Sequence, residues 1–148
     1  MATVVHDNFR NAQLGTPGGT TTTTDFDADD IDLALLDATD SGAITSSTEN
    51  YGQVDTPTVV ADRSDSAQIP LGSKTVGSVA VGVFDAADPT FATISGDIAD
   101  YLVLYKFNAT PANAPLIVTW DSATSGLPVT PNGGDIIVTF NASGILQI

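Results

Sequence analysis

Apolar positions fall in short runs along this chain, and the spacing within each run sets the element it predicts. Between Val4 and Leu14, the residues Val5, Phe9 and Ala12 recur at intervals of four and three, and Gly15 follows as a C-cap. That spacing predicts a short helix, with an extended arm as the competing reading. Thr16 to Thr24 offers nothing apolar to bury and contains Gly18 and Gly19, so it reads as a loop or connector. Ile31 to Leu36 is strand-like, and the Asp, Thr, Ser and Gly of Asp37 to Thr48 predict a long surface loop. Val54 to Ala61 is β-branched but holds Pro57, and Ala67 to Leu71 holds Pro70. A proline cannot donate to a ladder, so both runs are expected at a sheet edge or bulge.

Ser78 to Phe84 alternates Val79, Val81 and Val83 with small residues, which predicts a half-buried strand. Asp85 to Pro89 and Ser95-Gly96-Asp97 are turns on either side of a short Phe91–Ile94 strand. Tyr101 to Phe107 is the most continuously apolar run, which suits a central strand buried on both faces. Pro115 to Trp120, Asp135 to Phe140 and Ile145 to Ile148 complete the set, and no internal repeat is evident. About eight to nine short strands with turn chemistry between them predict an all-β fold, an antiparallel β-sandwich or jelly roll. Residues 1–15 would form an N-terminal helix or arm and residues 16–148 a single β-sandwich domain.

Composition supports this class. Of the 18 acidic residues only Glu49 is not Asp, and Asp, Thr and Gly favour turns and strands over helix interiors. Charged residues make up 15% of the chain and hydrophobic ones 42%, the reverse of a disordered acidic tail. Cysteine is absent, which excludes disulfides and thiolate sites. The net charge is -14, and the four basic residues, Arg10, Arg63, Lys74 and Lys106, stand singly, so a basic nucleic-acid groove is excluded. No apolar run approaches the ~18 residues of a membrane span, and the opening residues lack the regions of a cleaved leader. The expected picture has no nucleic acid and no membrane.

Candidate chemistry is sparse, and the sequence predicts no enzyme. His6 is the single histidine and reads as a plain surface residue, there is no Cys nucleophile, and no Gly-x-Ser-x-Gly elbow occurs. With one tryptophan, Trp120, the chain lacks the aromatic platform of a glycosidase subsite, although two of its many carboxylates could lie close. Asp25, Asp27 and Asp29 alternate and could converge on Ca2+, yet the loop positions where an EF-hand needs Gly and Glu hold Asp30 and Leu36. A solvated acidic loop leading into Ile31 is the favoured reading, so neither metal nor cofactor is expected. Asn108-Ala-Thr110 and Asn141-Ala-Ser143 match the glycosylation pattern but read as turns, and Pro131-Asn-Gly-Gly-Asp135 reads as a hairpin turn.

Several segments taken together carry a family resemblance. They are Val83-Phe-Asp-Ala-Ala-Asp-Pro-Thr-Phe91, Ser95-Gly-Asp97, Leu102-Val-Leu-Tyr-Lys106, Pro115-Leu-Ile-Val118, Leu127-Pro-Val-Thr-Pro-Asn-Gly-Gly-Asp-Ile136 and Asn141-Ala-Ser-Gly-Ile145. With the opening Asn8-Phe9 to Leu14-Gly15 and Ile31-Asp-Leu-Ala-Leu-Leu36, the order of elements resembles a family of small virion proteins of tailed bacteriophages. The resemblance covers about two thirds of the chain and rests on turns and core strands. The Thr20–Thr24 loop and the Asp25–Asp32 run depart from it.

The resemblance implies a structural component of the particle. Charge narrows the place, because a chain of net charge -14 facing packaged DNA is repelled by phosphates within a Debye length, ~10 Å at moderate salt. The expectation is therefore a capsid decoration (cement) protein, made in the host cytoplasm, that binds the outer surface of the major capsid protein shell as a homo-oligomer, with a trimer as the guess. A neck, tail-tip or fibre-associated virion protein and a carbohydrate-binding adhesion module are the alternatives. Expected partner contacts are Phe9, Leu14, Pro57 and Pro70, and deletion of residues 1–15 would leave the β domain folded.

Overall fold

A computed structural model describes residues 3–14, 24–41, 44–45, 47–48, 50–54, 68–121 and 126–148. Among the described residues the regular structure is mostly strand in antiparallel sheets with little helix, which agrees with the all-β expectation. The described residues form β1 (Thr3–Val5), α1 (Asp7–Leu14), β2 (Ile31–Leu36), α2 (Ala38–Ser41), β3 (Gln68–Pro70), β4 (Thr75–Val76) and β5 (Val83–Asp85). After these come β6 (Thr90–Phe91), β7 (Tyr101–Lys106), β8 (Leu116–Trp120), β9 (Ile136–Ile137) and β10 (Leu146–Gln147), with single 3-10 turns at Tyr51–Gln53 and Pro111–Asn113.

The main sheet has five strands in the order β1-β8-β7-β2-β3. β7 pairs with β2 along its whole length, Ile31 opposite Lys106 and Leu36 opposite Tyr101, and with β8 on its other side. Its continuous apolar run thus lies inside the sheet, where residues 102–105 are buried, as the sequence predicts. Because strand side chains alternate, the register separates two faces. One carries Asp32, Ala34, Leu36, Val103, Tyr105 and Thr119; the other carries Leu33, Leu35, Leu102, Leu104 and Val118. The second face is covered by residues 126–139, where Leu127, Val129, Ile136 and Val138 pack on the core, and the two-stranded β6-β9 ladder lies in the same region. A three-stranded sheet in the order β10-β5-β4 completes the architecture.

The N-terminal segment departs from the expected continuous helix. Val4 and Val5, β-branched and suited to an extended backbone, pair with Thr119 and Val118 as an edge strand. Helix begins only at Asp7, where the His6 carbonyl accepts the first helical bond from Arg10 N–H at 3.1 Å. Asp7 stands at the positive end of the helix dipole and pairs with Arg10 one turn on. The buried positions of α1 are Phe9 and Ala12, and the Phe9 ring meets Phe26 edge-on at 5.7 Å.

Four other expectations need correction. The loop after β2 contains the one-turn α2, because the Asp37 carboxylate accepts Thr39 N–H and caps it. The predicted Ser78–Phe84 strand reduces to β5, and Val79 and Val81 lie in an exposed turn. Asp135–Phe140 is strand only at β9, paired with β6. The Pro131–Asp135 turn closes no hairpin, since Gly133 N–H and Ile94 C=O bond at 2.8 Å and Ile94 N–H reaches Gly134 C=O at 3.0 Å. Pro70 does stand in an edge strand, β3, while Pro57 and most of its predicted strand lie outside the described residues.

Candidate interaction surface

Residues 75–84, Thr-Val-Gly-Ser-Val-Ala-Val-Gly-Val-Phe, form a ten-residue stretch with no charge in a chain of net charge -14. Gly77 and Gly82 both adopt positive φ, +76° and +75°, a region open to glycine and strained for a residue with a Cβ. They turn the chain out of β4 and back into β5, closed by bonds from Gly77 N–H to Val83 C=O at 2.8 Å and from Val83 N–H to Ala80 C=O at 3.1 Å. The turn therefore holds its valines outward: Val81 is 92% exposed, and Val76 and Val79 are about half exposed.

The turn is fixed to the last strand. Ile148 N–H donates to Gly82 C=O at 3.0 Å, and Ile145 N–H donates to Phe84 C=O at 2.9 Å. A Cβ at Gly82 would lie 2.6 Å from the Ile148 carbonyl oxygen, and one at Gly144 would lie 2.2 Å from Val83 Cγ1. Two glycines thus permit the contact, and Ile148, 64% exposed, stands beside the turn. Exposed aliphatic side chains with no charge among them match the composition that marks the centre of protein interfaces. The flanking glycines were a signal in the sequence, but the valine alternation pointed to a strand.

The expected contact residues are scattered. Leu14, at the end of α1, is 84% exposed, and Pro70 is exposed at the end of β3. Phe9 is buried in the core and presents no surface.

The acidic segment is a capped turn. Asp25 Oδ1 accepts the N–H groups of Asp27 at 3.2 Å and Ala28 at 3.3 Å, while Asp29 Oδ2 accepts Asp25 N–H at 2.8 Å and lies 2.7 Å from Lys106 Nζ. Burial would raise the Asp29 carboxyl, but hydrogen bonds from Lys106 and the Asp25 backbone outweigh it and hold the pKa below its ordinary value. Among the described residues no three His, Cys, Asp or Glu side chains are placed to share a metal ion. Asn108 Oδ1 accepts Thr110 N–H at 2.9 Å and Asn141 Oδ1 accepts Ser143 N–H at 2.8 Å, so both glycosylation-like motifs form Asx turns.

Two buried groups went unrecognised in the sequence. His6, expected at the surface, is 0% exposed, and its ring bonds to Thr48 and Thr119. Asp32, inside β2, accepts hydrogen bonds from Gln68 Nε2 at 3.1 Å and the Tyr105 hydroxyl at 3.4 Å, and burial raises its pKa. The Tyr105 ring stacks on Tyr51 at 4.1 Å between centroids. On the opposite face Leu35, Leu102, Leu127, Val129, Ile136 and Val138 line a cavity of about 280 Å³. No described helix is long and apolar enough to cross a membrane.

Comparisons with family models and with curated proteins returned no match.

Proposed function

We propose that this chain is a structural virion protein of a tailed bacteriophage, a decoration (cement) protein that sits on the outer surface of the major capsid protein shell and stabilises it. In this reading the sheets pack as a sandwich or jelly roll, the protein works as a homo-oligomer, and no residue does covalent chemistry. The observation that carries it is the charge-free Val76–Val81 turn with Ile148, standing on a chain of net charge -14. Apolar side chains on a braced turn suit docking into a protein pocket, and the net negative charge of the chain suits the outside of a shell that holds DNA. The family resemblance of the turns and core strands supports the same reading.

The test is labelling of intact particles with an antibody against this chain, together with rebinding of purified protein to stripped shells. Label over the whole shell and a loss of about tenfold or more in rebinding for Val81→Asp are expected. Label confined to the neck or tail overturns the capsid position, and unchanged rebinding of Val81→Asp removes the turn from the contact.

A further inference from the structure

His6 joins three stretches of chain that are far apart in sequence. Its Nδ1 lies 2.7 Å from the Thr48 carbonyl oxygen, which can only accept, so Nδ1 carries the proton. Nε2, 2.8 Å from Thr119 Oγ1, is then the unprotonated nitrogen and accepts the Thr119 hydroxyl. The His6 backbone completes the junction: its N–H donates to Ile117 C=O of β8, and its carbonyl starts α1. One neutral ring therefore ties the Thr3–Leu14 segment both to β8 and to the 47–48 stretch.

A second proton is costly in this arrangement. It would occupy Nε2 and reverse the bond with the Thr119 hydroxyl, which can accept as well as donate, but it would leave a cation on a ring that is 0% exposed. β8 offers the ring only the Thr119 hydroxyl, and the neighbouring stretch offers the Thr48 carbonyl, with Thr45 close by. The charges that act on it are Asp7 and Arg10 of its own segment, which are paired with each other. Asp121, beyond the end of β8, acts with Asp100 on Tyr101. Burial dominates these influences and lowers the ring's pKa below 6.5, against the opposing pull of the Thr48 carbonyl and Asp7.

We propose that His6 is an acid-sensitive latch whose protonation releases the Thr3–Leu14 segment from β8 and from the 47–48 stretch, while β2, β7 and β8 keep their pairing. Release uncovers the Phe9 side chain and opens the outer edge of β8, two surfaces that the neutral form keeps covered. This inference does not depend on the virion reading.

The test is amide hydrogen exchange on the full chain at about pH 7 and about pH 5, corrected for the intrinsic pH dependence of exchange. The His6 and Arg10 amides are expected to lose protection by about tenfold or more, while those of Val103 and Leu104 hold theirs. Equal loss at both places, or none at the segment, overturns the latch. His6→Gln is expected to abolish the difference between segment and sheet, and its persistence in that variant overturns the proposal. Should that variant not fold, the wild-type ring decides: its single imidazole signal is expected to titrate below 6.5, and a midpoint at or above 6.5 overturns the latch.

Discussion

Lys106, the last residue of β7, places its ammonium 2.7 Å from the carboxylate of Asp29, so the acidic turn before β2 is fastened to the end of the strand with which β2 pairs. The same ammonium group's neighbour, Lys74, donates to the Asp29 carbonyl at 2.7 Å. Both partners of the ion pair are mostly shielded, which places it above the weakest surface pairs. Lys106→Met should cost about 1 kcal/mol in urea unfolding near neutral pH and raise the Asp29 pKa toward its ordinary value, read by carboxyl NMR. Because the folded carboxyl is held low, the wild-type advantage is present above the ordinary carboxylate range and disappears as pH falls through the folded pKa.

Asp32 carries the opposite sign. Burial raises its pKa despite bonds from Gln68 and Tyr105, so the folded state holds its proton more firmly than the unfolded chain does. Its contribution to stability is favourable below the ordinary carboxylate range and is lost as pH rises through the folded pKa. Asp32→Asn should therefore raise stability near pH 7 by on the order of 1 kcal/mol and remove that part of the pH dependence. Urea unfolding across the acid range checks both, and a destabilised variant at neutral pH contradicts the account.

The centre of the sheet was legible in the sequence, and its attachments were not. Tyr101–Lys106 announces itself because a strand buried on both faces needs a nearly unbroken apolar run, and Ile31–Leu36 reads as a strand despite Asp32. Val79 and Val81 misled because alternation records what a residue could bury, whereas burial needs a partner strand, and Gly77 and Gly82 turn this stretch away from one. His6 had no local signal, as the atoms that bond its ring are 42 and 113 residues away. Val5 fitted the helical spacing but, with Val4, found an edge to join at β8.

Gly77 and Gly144 separate strain from crowding. A Cβ on Gly77 meets nothing within 4 Å, so Gly77→Ala should cost only the positive-φ penalty, about 1 kcal/mol. Gly144, at φ +95°, has Val83 Cγ1 at 2.2 Å and the Phe84 carbonyl at 3.1 Å from that position. Gly144→Ala should cost about 3 kcal/mol by adding overpacking to strain, and denaturant midpoints of the two variants measure the difference.

Phe9 belongs to the same core as Phe26 and Phe84, whose rings lie 4.4 Å apart. Residues 1–15, expected to be removable with the β domain still folded, therefore contribute to its core. Phe9→Ala should cost about 3 kcal/mol, and a chain beginning after Leu14 should lose at least as much, since the His6 bonds and the β1 pairing go too. Thermal unfolding followed by Trp120 fluorescence reads both.

The pairing of β2 with β7 joins residues about seventy positions apart. During synthesis, then, Ile31–Leu36 leaves the ribosome long before the strand that will cover it, and sheets with such distant partners close slowly. Throughout that wait the strand is a short apolar segment able to pair with another nascent copy. Asp32 is the one charge within it, so the carboxyl that is costly to bury in the finished sheet also keeps unfinished chains apart.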